Sequence, residues 1–283
     1  MTGPTPRSLV LDLLSTLSTG STMPVAALLE AAALFDLAPG AIRVALARLL
    51  AAGRIERDER GRYRLGAAAA PVQSVVRGWR GLEGRSMPWD GTWWAVHDTG
   101  VGRRGPQARR HERALRLLGF RRLRPGLAVR PANLREGCAA LREELQALGL
   151  SPRALVCALR ELDSETDAKA RALYDAPALR AAYRRTFAEL EASSARLASL
   201  DPADAMRESF VVGGRAIQHL AQDPVLPPEI FDPRERDALA RAMRDYDRRG
   251  RSCWAALLAR YDVPHRRAPA DTRVADGSDR LVA

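Results

Sequence analysis

The sequence predicts an α+β fold divided into three domains, and three patterns along the chain predict it. Between residues 39 and 65 the spacing of apolar side chains changes from helical periodicity to the alternation of β-strands. A middle stretch alternates short β-favouring runs with helical segments in the order βαββαβ. After residue 160 the periodicity is helical only. The expected divisions are 1–66, a connector at 67–88, 89–160, 161–265 and a disordered tail at 266–283.

The first domain is predicted to contain three helices followed by a hairpin. Apolar residues at helical spacing give a first helix over 9–17 and a second over 24–35. Pro39 suits the first position of a third helix, because the missing N–H of proline costs nothing there, and Gly53 suits the position just past its end. The inner faces of these elements would form one core: Leu13, Leu17, Leu29, Ile42, Leu46, Leu49, Ile55, Tyr63 and Leu65.

The third helix is predicted to expose a narrow surface that fits a groove of duplex DNA. One stripe of the helix is apolar and suited to a core, whereas the opposite face has only small side chains with an arginine on each flank. Small side chains let a helix approach the bases, and guanidinium groups reach base edges or phosphates. The residues expected to contact DNA are Arg43, Val44, Ala47 and Arg48.

The hairpin after Gly53 is expected to bury one side and to carry arginines on the other. Its turn is predicted at residues 58–61. A short helix followed by such a hairpin is typical of a winged helix-turn-helix, whose wing would hold phosphates or the adjacent minor groove. The alternative is an ordinary surface hairpin with solvated cations. The wing candidates are Arg57, Arg60, Arg62 and Arg64.

The middle and carboxy-terminal domains follow from strand and helix patterns. The order βαββαβ predicts a ferredoxin-like sandwich, with Asn133 as the N-cap of its second helix and a short connector helix at 72–79 before it. The sandwich strands are expected at 92–97, 120–123, 127–130 and 154–159, with helices at 106–118 and 133–148. The helical domain is expected to contain helices at 167–174, 177–200, 202–220 and 233–261.

The net charge of +11 is concentrated in the middle of the chain. Residues 67–160 carry 17 basic and 7 acidic side chains, which indicates an acidic partner for this part. On the first helix of the middle domain Arg109, Arg113 and Arg116 share one face. That face is either a solvated outer surface or a contact to DNA phosphate or to a phosphorylated ligand, so these three arginines are the candidates for effector binding.

The sequence lacks the signatures of common enzyme classes. No glycine-rich phosphate loop, nucleophile motif or metal-ligand spacing is present. The three cysteines are widely separated and do not suggest a disulfide framework. Neighbours such as His97 and Asp98 point to opposite faces of a strand and form no dyad. We therefore expect no enzyme activity, cofactor or metal. One alternative is a metal-dependent nuclease that uses Asp98 in the middle domain.

No apolar run is long enough to cross a bilayer. The first apolar stretch contains Asp12 and continues into a helical pattern, so it does not resemble a signal peptide. We expect a cytoplasmic protein without a membrane partner.

Four motifs in this order resemble the PaaX family, the repressors of phenylacetate catabolic operons. They are AIRVALARLLAAGRIE followed by GRYRL, then WDGTWWAV, LRLLGFRRLRPGLAVRP and DPVLPPEI. The resemblance covers most of the chain, from about Leu9 to Tyr261. It implies a winged-helix reader, a ferredoxin-like middle domain and a helical third domain. It also implies a homodimer on a palindromic operator that is released by an aryl-acyl-CoA thioester, typically phenylacetyl-CoA.

The chain departs from this family at the recognition surface. Where the family favours hydroxyl side chains, Val44 and Ala47 stand here. Both can contact a thymine methyl group, but neither can hydrogen-bond to a base edge. The operator sequence is therefore expected to differ. A transcription factor with another effector, or a DNA-binding module with no effector, stays open beside the phenylacetyl-CoA interpretation.

Overall fold

The computed structural model describes residues 3–18, 20–98 and 104–264, and shows an α+β protein with two small antiparallel sheets. The predicted tail at 266–283 and residue 265 lie outside the described residues. None of the described helices is long and apolar enough to cross a bilayer.

The amino-terminal unit contains three helices and a three-stranded sheet in the order β1-β3-β2. Its predicted core is buried at seven of nine positions, whereas Leu29 and Leu65 are half-buried. Pro39 opens the third helix, and Gly53 follows its end with a φ of +61°, as expected for a helix stop. The elements are α1 Pro6–Ser15, β1 Met23–Pro24, α2 Val25–Ala33, α3 Pro39–Ala51, β2 Ile55–Arg57 and β3 Arg62–Leu65.

The connector is helical and packed. It contains α4 Ala70–Arg77, a 3₁₀ turn and α5 Leu82–Arg85. Trp79 in that turn is 1% exposed and packs into the core that also holds the second sheet. The connector is thus structural and fixes how the chain leaves β3.

The middle segment has the predicted order βαββαβ, and its strands pair antiparallel in the order β5-β6-β4-β7. The central strand β4 is buried on both faces from Trp93 to Val96. The Trp93 indole N–H donates to Asp167 Oδ1 at 2.8 Å, so the helix that follows β7 in the chain contacts this sheet. The elements are β4 Trp93–His97, α6 Pro106–Leu117, β5 Arg121–Arg124, β6 Leu127–Pro131, α7 Gly137–Leu148 and β7 Leu155–Leu159.

The predicted start of α7 is wrong. Glu136, not Asn133, precedes the helix. Asn133 is fully buried, and its amide donates to the carbonyl of Val225 at 2.8 Å, so the side chain ties the sheet to the carboxy-terminal part and caps no helix.

The carboxy-terminal helices agree with their predicted positions to within three or four residues at each end. Aspartates cap three of them: Asp163, Asp175 and Asp201 accept backbone N–H groups in the first turn. The last three helices pack against one another. They are α8 Ser164–Ala172, α9 Ala176–Arg196, α10 Pro202–Ala221 and α11 Arg234–Ala259.

The end of α11 belongs to the core of the amino-terminal unit. Its apolar side chains pack with α1, α2 and α3, and Phe210 of α10 bridges Phe35 of the amino-terminal unit and Trp254 of α11 with ring centroids 5.2 and 5.9 Å apart. The contributing residues are Trp254, Leu257, Leu258 and Val263. The amino-terminal unit and the end of α11 therefore share one core.

Candidate nucleic-acid interface

The face of α3 expected to meet DNA is exposed. Val44 is 50% exposed, and Arg43, Ala47 and Arg48 are exposed beside it. Within the described part of the chain the guanidinium groups of Arg43 and Arg48 have no hydrogen bond or ion pair. The apolar stripe of the same helix is buried at Ile42 and at the inner positions that follow it. The helix thus presents small side chains between two free cations.

The turn of the wing is rigid. Asp58 Oδ1 accepts the backbone N–H groups of Arg60 at 3.0 Å and Arg62 at 2.8 Å, and Gly61 has a φ of +75°. The bond from the Arg62 N–H is the main cause that holds the pKa of Asp58 below its ordinary value. The guanidinium of Arg57 lies against Gly61, where an added Cβ would be 3.1 Å from its Nη2. The tip therefore presents Arg57 and Arg60 in a fixed frame.

The other two wing candidates have internal partners. Arg64 forms an exposed ion pair with Glu56 at 2.9 Å on the neighbouring strand. Arg62 is half-buried and donates to Thr22 Oγ1 at 3.1 Å and to the carbonyls of Tyr261 and Asp262 at 3.4 and 3.3 Å.

The placement of Arg62 corrects the expectation that it faces outward to clamp a phosphate. Alternation along β3 places Arg62 on the side opposite Tyr63, as predicted. That side is covered by β1 and by Tyr261 and Asp262, which follow α11. Arg62 belongs to the internal packing of this conformation.

The arginines of α6 are exposed, as their spacing predicts. The guanidinium groups of Arg109, Arg113 and Arg116 have no hydrogen bond or ion pair to a described residue. Burial lowers the pKa of Arg54, which lies between α3 and β2, and the charges of Arg7 and Arg113 lower it further. Arg54 was not a sequence candidate.

Asp98 and His111 meet in the middle domain, a contact that the sequence did not predict. His111 Nδ1 lies 3.7 Å from Asp98 Oδ2, and both side chains are buried. The same nitrogen accepts the backbone N–H of Ser151 at 3.2 Å. Among the described residues no group of three or more His, Cys, Asp or Glu side chains could hold a metal ion. The nuclease alternative thus gains no support from this arrangement.

A small cavity lies where the connector, the sheet and α10 meet. Trp79, Leu118 and Leu220 contribute apolar walls, and Arg130 lies at its edge. Arg130 is 2% exposed, and burial lowers its pKa to about 10. Its guanidinium donates to the carbonyl of Leu118 at 2.6 Å and to the carbonyl of Pro224 at 3.1 Å. The cavity volume of about 10 Å³ is enough for one water molecule. The cavity would have to widen before it could hold an aryl group.

Comparisons with known proteins agree with this picture. The sequence model of a family described as PaaX-like protein matches residues 5–69, which span the three helices and the hairpin. The match confirms the predicted resemblance over this unit, and the family is one of transcriptional regulators. No curated protein matches the chain.

One solved structure has a similar fold over most of the chain. It is the uncharacterized protein Rv0674 from Mycobacterium tuberculosis, with a TM-score of 0.54 and 24% identity over 88% of this chain and 98% of that one. At this identity the similarity concerns the fold alone.

Proposed function

We propose that this chain, PaaX-like in its amino-terminal unit, is a DNA-binding repressor of an aromatic, phenylacetate-type catabolic operon. The exposed face of α3, with Arg43 and Arg48 free on either side of Val44 and Ala47, is the observation that carries the proposal. A homodimer would place two such helices on the two halves of a palindromic operator.

In the proposed complex α3 enters the major groove. Arg43 and Arg48 bind bases or phosphates, and Val44 and Ala47 pack on thymine methyl groups. Arg57 and Arg60 at the tip of the wing bind the backbone or the adjacent minor groove. Arg64 can join them after exchange of its exposed pair with Glu56, because such surface pairs are weak.

We propose the following domains for these functions. Residues 1–66 form a winged helix-turn-helix, 67–88 a connector, 89–160 a ferredoxin-like domain and 161–265 a helical domain. The strand order β5-β6-β4-β7 supports the ferredoxin-like interpretation. We place the protein in the cytoplasm, where its operator would be.

The effector in this proposal is an aryl-acyl-CoA such as phenylacetyl-CoA. Arg109, Arg113 and Arg116 are the candidates for its phosphates, because they are exposed and have no carboxylate partner among the described residues. Release requires that the ligand bind the DNA-free conformation more tightly than the DNA-bound one.

An electrophoretic shift of the chain's own upstream region tests both parts. We expect a discrete shifted band that phenylacetyl-CoA abolishes and that acetyl-CoA, which lacks the aryl group, leaves unchanged. A band that persists with phenylacetyl-CoA removes this effector and leaves the repressor. Absence of any band on the upstream region and on duplexes selected from random sequence contradicts the repressor.

A further inference from the structure

The segment between α10 and α11 is buried although it forms neither a helix nor a strand. Residues 223–227, which begin the DPVLPPEI motif, are all buried. Within the part of the chain that the structure describes, no backbone–backbone hydrogen bond joins residues 223–226 to the second sheet. A buried irregular backbone still needs partners for its polar groups. Side chains must therefore supply them.

Two buried side chains of the middle domain hold this segment. The guanidinium of Arg130 donates to the carbonyl of Pro224 at 3.1 Å, and the amide of Asn133 donates to the carbonyl of Val225 at 2.8 Å. A Cβ added at Gly119, just after α6, would lie 2.9 Å from the Cα of Pro224, so the two backbones are in close contact. The segment is thus docked on the middle domain by two side chains and one backbone contact.

Asp223 ties the same segment to the helical part. Its Oδ2 accepts the hydroxyl group of Tyr183 on α9, and its Oδ1 accepts the N–H of Val225 at 2.6 Å. The backbone N–H of Asp223 also donates to the carbonyl of Leu220 on α10 at 3.2 Å. The bonds to Tyr183 and Leu220 do not involve the middle domain, so they can persist when the segment leaves it.

Val225 has a backbone conformation that is unfavourable for its side chain. Its φ is +48°, and the residue is 2% exposed. Residues branched at Cβ rarely adopt a positive φ. The other non-glycine residues of the described chain with a positive φ, Asp36, Glu161 and Asp262, are exposed and acidic. Strain at a buried valine persists only where the surroundings impose it, and such strain is common in segments that switch between conformations.

Opposing terms act on the docked segment. Burial of Val225 and of Leu226, which is 3% exposed, favours docking. The φ of Val225 opposes it. Undocking leaves few buried polar groups unpaired, because Arg130 also donates to the carbonyl of Leu118 and to Asn133 Oδ1.

We propose that residues 223–226 form a latch that closes the middle domain onto the helical part, and that this latch opens reversibly in the folded protein. Opening lets Val225 leave its positive φ and takes Asp223 and Val225 away from the wall of the cavity beside Trp79. Helix α11 begins shortly after the latch and ends in the core of the amino-terminal unit. The open latch therefore loosens the position of that unit relative to the middle domain. The proposal does not depend on DNA binding.

Hydrogen exchange of the full chain without DNA, measured by mass spectrometry at increasing low concentrations of denaturant, tests the latch. We expect the peptide over 222–231 to exchange through an opening that depends weakly on denaturant, because little surface is exposed. Strands β4 and β6 should exchange only with global unfolding. Asn133→Ala, which removes the bond to the Val225 carbonyl, should increase exchange at 222–231 about fivefold and leave β2 and β3 unchanged.

Val225→Gly and Val225→Ala separate the backbone strain from the loss of the side chain. Both variants lose the branched side chain, but only glycine adopts a positive φ without strain. We expect the peptide over 222–231 to be about fivefold better protected in Val225→Gly than in Val225→Ala. The control pair is Val76→Gly and Val76→Ala in α4, where the backbone is helical. There the order should be reversed, because glycine weakens a helix.

Two results would overturn the latch. The first is exchange at 222–231 in the wild type with the same rate and denaturant dependence as β4, since no separate opening would then exist. The second is lower protection of 222–231 in Val225→Gly than in Val225→Ala, since the positive φ would then store no strain.

Discussion

Val44 is the only large apolar side chain on the exposed face of α3, and it is 50% exposed. The described fold leaves half of this apolar side chain uncovered. A thymine methyl group in the major groove would bury it, and burial of one methyl group is worth about 0.8 kcal/mol. The identity of this residue thus bears on which base pairs the helix prefers.

Replacement of single thymines by deoxyuridine in the bound duplex measures this preference. At the position that Val44 contacts, we expect loss of the methyl group to weaken wild-type binding about fourfold. Val44→Ala should bind the two duplexes nearly equally, because the contact is already lost. Fluorescence anisotropy gives both affinities. An equal deoxyuridine penalty at every position in Val44→Ala and the wild type would refute this contact.

Asp12 on α1 gives the fold a pH dependence. The residue is exposed at the surface, but the protein atoms packed around its carboxyl group partly desolvate it and raise its pKa from 3.8 to about 6, and no described group pairs with the carboxylate. Since the folded pKa lies above the unfolded one, the folded state favours the protonated acid. The cost of ionisation is absent below about pH 4, grows as pH rises through 6 and is constant above it.

Asp12→Asn removes this cost. We expect the variant to be more stable than the wild type at pH 7 to 8 and equally stable near pH 4; solvent around the exposed side chain screens the charge, so the gain should be no more than about 1 kcal/mol. Denaturant unfolding at both pH values measures the difference. A stability gain that is the same at pH 4 as at pH 8 would exclude the ionisation of Asp12 as its cause.

At the scale of elements, the end of α11 joins the helical part to the DNA-binding unit. Trp254 is 8% exposed in the core of that unit, and its indole N–H donates to Ser209 Oγ of α10 at 3.3 Å. Glu30 on α2 accepts hydrogen bonds from Arg260 and Tyr261. Movement of α11 would therefore change both the packing of α2 and the carbonyl partners of Arg62 in the wing.

Trp254→Ala tests this coupling. Removal of a buried tryptophan typically costs about 3–5 kcal/mol, and the loss should fall on the amino-terminal unit. We expect faster amide hydrogen exchange in α1, α2 and α3, with β4 and β6 protected as in the wild type. Trp254→Phe should restore most of the protection. Uniformly faster exchange across both sheets would mean that α11 stabilises the whole molecule without a particular link to α3.

The elements could be predicted where local chemistry decides them. Pro39, Gly53 and the apolar stripe between them define α3, and the alternation at 55–65 defines the hairpin. Contacts between distant segments could not be predicted in this way. Asn133 suits a helix cap by type, but it binds the carbonyl of Val225 across the domain boundary, and nothing near it in the sequence indicates that partner.

The surroundings of Arg62 and Arg54 could not be predicted for the same reason, because both depend on contacts between distant segments. Alternation places Arg62 on the outer side of β3 but does not show that the chain after α11 covers it. The tertiary fold also decides that burial, and to a smaller extent the charges of Arg7 and Arg113, lower the pKa of Arg54. The exposure of Arg43, Val44, Ala47 and Arg48, in contrast, follows from the periodicity of α3 alone.

For the whole molecule, the distribution of charge agrees with the proposed partners. The net charge is +11, and its excess lies in the segment with α6 and the arginine edge strand β5. A cationic surface of this kind speeds association with duplex DNA of any sequence. In the proposed complex, specific recognition comes from the few side chains on α3, since backbone contacts carry no sequence information.

The most direct measurement is the affinity of Arg43→Ala/Arg48→Ala for the duplex that the wild type binds best, by fluorescence anisotropy. The control is Arg185→Ala/Arg215→Ala, which removes the same charge from exposed positions on α9 and α10. We predict that the α3 variant loses about 1–3 kcal/mol of specific binding, at least fivefold, whereas the control binds like the wild type. Full affinity in the α3 variant, or an equal loss in both, would contradict the assignment of this helix as the DNA reader.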